Sequence, residues 1–199
     1  MFGNRGHRAI LTAGLIALVT TIGQAATVSV SVYSKDSGAA LSGAVVAVVS
    51  GETVLASGRT SAQGAWSANV ADGRVTVLAA KDLHVTQARA VTMSGATSVR
   101  FDLLQHKQED FKRLGRIVGF VRSTTGVPLA NATLVLLKGS ASVGVTQPEN
   151  ASGVYDLEWF APGSYSVLAT APGHSARKFT GQSISAGESL WLDVTLQPK

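Results

Sequence analysis

Outside the first 25 residues the chain has three histidines, His84, His106 and His174, far apart in sequence. No His-x-x-x-His pair or compact cluster of histidine and carboxylate accompanies them, so a zinc centre of peptidase type is not expected. The serines fall in strands and turns, without the Gly-x-Ser-x-Gly elbow that exposes a nucleophile. There is no cysteine, which excludes disulfides, thiolate metal sites, cysteine nucleophiles and thioether lipidation. Asp156 and Glu158 share one face of a strand and could in principle shuttle a proton or hold calcium. Nothing nearby adds the further oxygens calcium needs, and such a pair on a sheet face is ordinarily solvated. No catalytic residue, metal ligand or cofactor is therefore assigned, and the chain is read as non-enzymatic.

The aromatic residues offer the better lead. Leu190, Leu192, Val194 and Leu196 claim the inner face of the last strand, which leaves Trp191 outside with Asp193 and Thr195. An exposed indole can stack on a sugar ring or a protein surface, and it can equally cover a strand edge or pack on a neighbouring domain. Trp159 and Phe160 are adjacent, so a regular strand cannot bury both. Strict alternation from Tyr155 buries Trp159. Trp159 and Trp191 are the candidate ligand-binding residues, and Trp66 is a core residue of its strand.

These side chains must be positioned by strands. Met1 to Ala25 has the layout of a secretory signal, with Arg5, His7 and Arg8 before the apolar run Ala9 to Ile22 and the small residues of Gly23-Gln24-Ala25 at a cleavage site before Ala26. The apolar run is about 14 residues, short of the roughly 20 needed to span a bilayer. The processed chain is expected to be periplasmic or extracellular, with no stable membrane insertion. Without Arg5 and Arg8 the balance is 15 basic against 12 acidic residues, dispersed along the chain, so a nucleic-acid partner is not expected.

From Thr27 the pattern alternates with period two. Val28 to Val32, Ala44 to Val49, Thr53 to Ala56, Gly64 to Val70, Val75 to Ala79 and Val99 to Leu103 read as strands of a small sandwich, residues 26–105. Ala44 to Val49 is apolar on both faces and is placed centrally in its sheet. Residues 106–115 form a charged linker with some helix propensity. The pattern restarts at residue 116 and runs to 199, through Ile117 to Arg122, Ala132 to Leu137, Val143 to Val145, Gly153 to Phe160, Tyr165 to Ala169, Phe179 to Ile184 and Leu190 to Leu196. No sorting signal or membrane tail is expected after it. The two units are copies: Gly38, Leu41 and Ala44 match Gly126, Leu129 and Ala132 at an offset of 88, Gly64 matches Gly153 at 89, and His84 matches His174 at 90.

The second unit resembles the carboxypeptidase regulatory-like domain, a seven-stranded sandwich of the transthyretin or prealbumin type, also described as starch-binding-like. The resemblance rests on GFV (119–121), GVPLANATLVL (126–136), Gly153-Val154-Tyr155, APGSYSVLATAPGH (161–174) and LDVTLQP (192–198). The first unit is a degenerate copy, with Asp72-Gly73-Arg74-Val75 where the family has Pro-Gly-x-Tyr. The family pattern buries Phe160 and turns Trp159 outward, against strict alternation, and both placements stay open at this stage. The resemblance implies an all-β fold, two tandem seven-stranded antiparallel sandwiches after a signal peptide. It further implies a structural or protein-interaction module, with carbohydrate binding through exposed aromatics as the alternative, so the expected partner is a protein or a polysaccharide.

Overall fold

The computed structural model describes residues 25–199. The expected signal segment, residues 1–25, lies outside them except for Ala25, which opens the first strand. The first sandwich is built from β1 (Ala25–Ser34), β2 (Val45–Ser50), β3 (Thr53–Arg59), β4 (Ala65–Ala71), β5 (Gly73–Ala80), β6 (Gln87–Met93) and β7 (Thr97–Leu103). The second repeats it with β8 (Gly115–Ser123), β9 (Thr133–Lys138), β10 (Ala141–Thr146), β11 (Val154–Phe160), β12 (Gly163–Thr170), β13 (Arg177–Ile184), β14 (Ser189–Trp191) and β15 (Val194–Leu196). β14 and β15 are two halves of one last strand, broken at Leu192-Asp193. Among the described residues no helix is long and apolar enough to cross a membrane.

Each sandwich pairs a sheet of three positions, β4-β1-β7 or β11-β8-β14/β15, with a four-stranded sheet, β3-β2-β5-β6 or β10-β9-β12-β13. The sheets are antiparallel, as expected, except where the first and last strands of each unit pair. β7 runs parallel to β1, and β14 and β15 run parallel to β8, because the first and last strands of each unit lie side by side and point the same way. The duplication extends to single hydrogen bonds. The N–H groups of Val32 and Val121 donate to the carbonyls of Gly64 and Gly153 at 2.8 Å. Both glycines have φ above +70°, and a Cβ at either would lie 2.5 Å from the carbonyl oxygen of the same valine.

Alternation buries one stripe of each strand. Val28, Val30, Val46, Val48, Val77 and Phe101 make the first core, with Trp66 packed against it as its strand position predicts. Ile117, Val121, Leu134, Leu136, Tyr155 and Val167 begin the second. A third core lies between the sandwiches. Val45, Ala47, Val49 and Leu78 of β2 and β5 meet Val135, Leu137, Val145 and Leu168 of β9, β10 and β12, all of them buried. The four-stranded sheets thus face each other, and the described residues form a stack of four sheets with three apolar layers. This accounts for the doubly apolar runs of β2 and β9: one face fills the strand's own sandwich, and the other seals the seam between the two. The seam is rimmed by polar links, with Ser57 and Gln147 hydrogen-bonded to Thr133 Oγ1 at 2.7 and 3.1 Å, Arg59 donating to the carbonyls of Gln147 and Pro148, and Lys178 paired with Glu52.

Candidate functional site

Trp191 sits where the alternation of its strand places it, on the outer face of the β11-β8-β14 sheet, and is 60% exposed. Its Nε1 donates to Asp193 Oδ1 at 3.1 Å, and the same oxygen accepts the backbone N–H of Phe120 at 3.1 Å. The indole is therefore held by its only donor, with more than half of the residue open to solvent. Phe120 lies edge-on to it, with centroids 5.6 Å apart, and the Arg122 guanidinium covers the Phe120 ring at 4.4 Å. Val154, 39% exposed, is the ladder partner of Phe120. Gly119 makes the arrangement possible, because a Cβ there would stand 2.0 Å from the Leu192 carbonyl oxygen at the break between β14 and β15.

The first sandwich serves as an internal control for this face. Alignment on Val32 and Val121 sets Ser31 against Phe120 and Ser29 against Val118. Their ladder partners follow, Ala65 against Val154 and Ser98 against Trp191. The same fold thus forms with serine or alanine at these four positions, so Val154, Phe120 and Trp191 are not there to make the sandwich stand.

Trp159 has a different place. The β11–β8 register shifts between Leu157 and Phe160, and Trp159 itself adopts φ +60°. That bulge lets consecutive aromatics go opposite ways. Phe160 packs into the second core near Tyr165, while Trp159 turns out beneath the linker. There Phe111, in the 3-10 turn Asp110–Lys112, stacks on it at 4.5 Å, and Arg116 lies over the ring at 5.5 Å. Trp159 is half-buried, with its Nε1 shielded and without a hydrogen-bond partner among the described residues. The two candidate tryptophans are thus not brought together: one is exposed on the outer sheet face and the other seats the linker.

The linker seat also holds the most perturbed groups. The side chain of His106 is 4% exposed, and its Nδ1 is 3.7 Å from Asp110 Oδ2. Burial lowers its pKa, with Asp110 opposing. Asp156 accepts from Arg116 at 3.0 Å, yet burial and the neighbouring Glu158 push its pKa up to about 7. Sequence alternation grouped Asp156 with Glu158, and the structure sets both against the first sandwich, where Asp156 is desolvated. Glu158 Oε2 accepts the backbone N–H of Leu83 at 3.1 Å. Asp82, His84, Asp156 and Glu158 line a seam cavity of about 30 Å³, room for about one water-sized sphere. Among the described residues no group of histidine and carboxylates has the arrangement to hold a metal ion.

Residues 116–197 match the family model of the carboxypeptidase regulatory-like domain. The second sandwich belongs to that family. The match does not extend to the first sandwich, whose kinship to the second rests on the shared strand order and hydrogen bonds given above. No curated protein matches the chain. Among solved structures, similarity is found to the TIE protein of Bacillus anthracis, at 17% identity over 87% of this chain and 34% of that one, TM-score 0.36. The present chain therefore spans about a third of that protein's length. A minor pilin of Streptococcus agalactiae matches at 12% identity over 87% of this chain and 96% of its own, TM-score 0.37. The shaft pilin SpaA of Lactobacillus rhamnosus GG matches at 11% identity over 88% and 98%, TM-score 0.32.

Proposed function

We propose that the chain is an exported, non-catalytic structural and interaction module, in which a regulatory-like sandwich and its degenerate copy act as one rigid block with a single contact face. The observation that carries this reading is the third core. Eight buried apolar residues join the sandwiches into one body, an arrangement suited to holding a surface in a fixed orientation. The regulatory-like character of the second sandwich supports the non-catalytic role, and the secretory layout of residues 1–25 supports export. The contact face is the one around Phe120 and Trp191, since the first sandwich shows that the fold does not require it.

A photoreactive benzoyl-phenylalanine placed at Trp191 and, separately, at the equivalent Ser98 tests the reading in cells producing the full chain. A partner captured from position 191 and not from 98, on a product shortened by the signal segment, is the expected result. Equal capture from both positions, or a product that stays in the cytoplasm, would sink it.

A further inference from the structure

The flank of the Trp191 face carries two arginines that the fold leaves without an acidic partner. Arg122 stands opposite Thr195 in the β8–β15 ladder, and Arg177, at the start of β13, reaches across the sheet edge to donate to the Thr195 carbonyl at 3.4 Å. Each guanidinium lies over an aromatic ring, Arg122 over Phe120 at 4.4 Å and Arg177 over Phe179 at 4.7 Å. Neither takes part in an ion pair among the described residues. A guanidinium placed over a ring has further N–H donors to offer a planar anion.

The first sandwich again isolates what is particular to the second. Tyr33 occupies the position of Arg122, and Asp102 that of Thr195. Gln87 occupies the position of Arg177, and its Nε2 donates to the Asp102 carbonyl at 2.8 Å as Arg177 does to that of Thr195. Arg100 is tied to Asp102 at 2.8 Å and lies over the Tyr33 ring at 4.2 Å, while Arg89, at the position of Phe179, lies over Phe101 at 5.3 Å. The second sandwich thus sets Phe120 and Trp191 where the first has serines, and Arg122 and Arg177 where the first has a phenol and a neutral amide.

The ligand chemistry follows from these groups, and it rests on the reading of this face as the contact surface. The indole offers an apolar plane that suits the C–H face of a pyranose, and Asp193, beside it, can accept from hydroxyls. The guanidiniums supply the charge complement for carboxylates carried on neighbouring rings. An open sheet face suits an extended polymer better than a small molecule, which needs a concave site. We propose that Trp191, Phe120, Arg122 and Arg177 bind an acidic polysaccharide of uronate type, with one sugar ring stacked on Trp191 and uronate carboxylates on the two arginines.

Affinity electrophoresis of the processed chain in native gels tests this, with polygalacturonate, neutral dextran or polyglutamate cast into the gel. Retardation by polygalacturonate alone is expected. Binding should weaken roughly tenfold or more in Trp191→Ala, as for a central aromatic anchor, and also in Arg122→Gln with Arg177→Gln, while the melting temperatures stay close to that of the unaltered chain. Equal retardation by polyglutamate would show an acidic-protein surface or bare charge attraction and overturn the proposal, as would retention undiminished in Trp191→Ala. Retardation by dextran as strong as by polygalacturonate would remove the role of the arginines and overturn it too. If no polymer retards the chain, the uronate assignment fails by itself, whereas the capture asymmetry between positions 191 and 98 still decides whether the face is a contact surface.

Discussion

Phe111 of the linker stacks on Trp159 of β11 with ring centroids 4.5 Å apart, and the left-handed backbone of Trp159 is what turns its ring toward the linker. The charged stretch between the sandwiches is therefore docked along the second one. Phe111→Ala should uncover the indole. In a Trp191→Phe background, tryptophan emission is expected to shift to longer wavelength and to quench more readily with acrylamide, together with a lower melting temperature. Unchanged emission would mean that Phe111 does not shield Trp159.

Leu168 is buried in the third core, on the outer face of its own sandwich. Leu168→Ala should cost about 2–5 kcal/mol, the range for truncating a buried leucine, as measured by urea denaturation. A cost near that of an exposed site, within about 0.5 kcal/mol, would mean that the seam is not closed in solution.

Asp156 gives the seam a pH dependence of defined sign. Burial, reinforced by Glu158, Glu149 and Asp82 and opposed by Arg116, raises its pKa from 3.8 to about 7. Between about pH 4 and pH 7 the folded chain holds a proton that the unfolded chain has released, so this residue's contribution to stability falls as pH rises through that window and is level above it. The difference in melting temperature between the unaltered chain and Asp156→Asn should therefore decrease from pH 4 to pH 7 and then stay constant. His106 acts the other way. Its pKa lies below 6.5 through burial, despite Asp110 and Glu158, so its contribution rises with pH until the unfolded imidazole has lost its proton near pH 6.5.

Leu83 occupies a left-handed conformation, φ +61°, and the residue is 47% exposed. The equivalent residue of the second sandwich is Gly173, φ +70°. Leu83→Gly relieves backbone strain of roughly 1–2 kcal/mol and loses some of that to the greater freedom of the unfolded chain. The expected result is a melting temperature unchanged or slightly raised. A marked drop would show that the exposed leucine packs on something.

Much of the fold can be read from alternation alone, and the exceptions have physical causes. Trp191 is placed correctly because Leu190, Leu192, Val194 and Leu196 leave it one side of the strand. β6 escapes the reading because it is largely exposed, so its sequence, Gln87–Met93, carries no apolar stripe. The both-sided apolar character of Val45 to Val49 is visible in the sequence and indicates a covered strand, but a single strand cannot say that its second cover is another copy of the fold. Trp159 is undecidable from periodicity because a bulge suspends periodicity at that residue. The free arginines near Trp191 stay hidden for a different reason: Arg122 and Arg177 are 55 residues apart in the sequence and meet only through Thr195.

The unity of the two sandwiches is read most directly by differential scanning calorimetry of residues 26–199. A single endotherm is expected, with calorimetric and van't Hoff enthalpies in agreement, and Leu137→Asp in the third core should split it into two. Two separate transitions in the unaltered chain would contradict a rigid block built on a shared core.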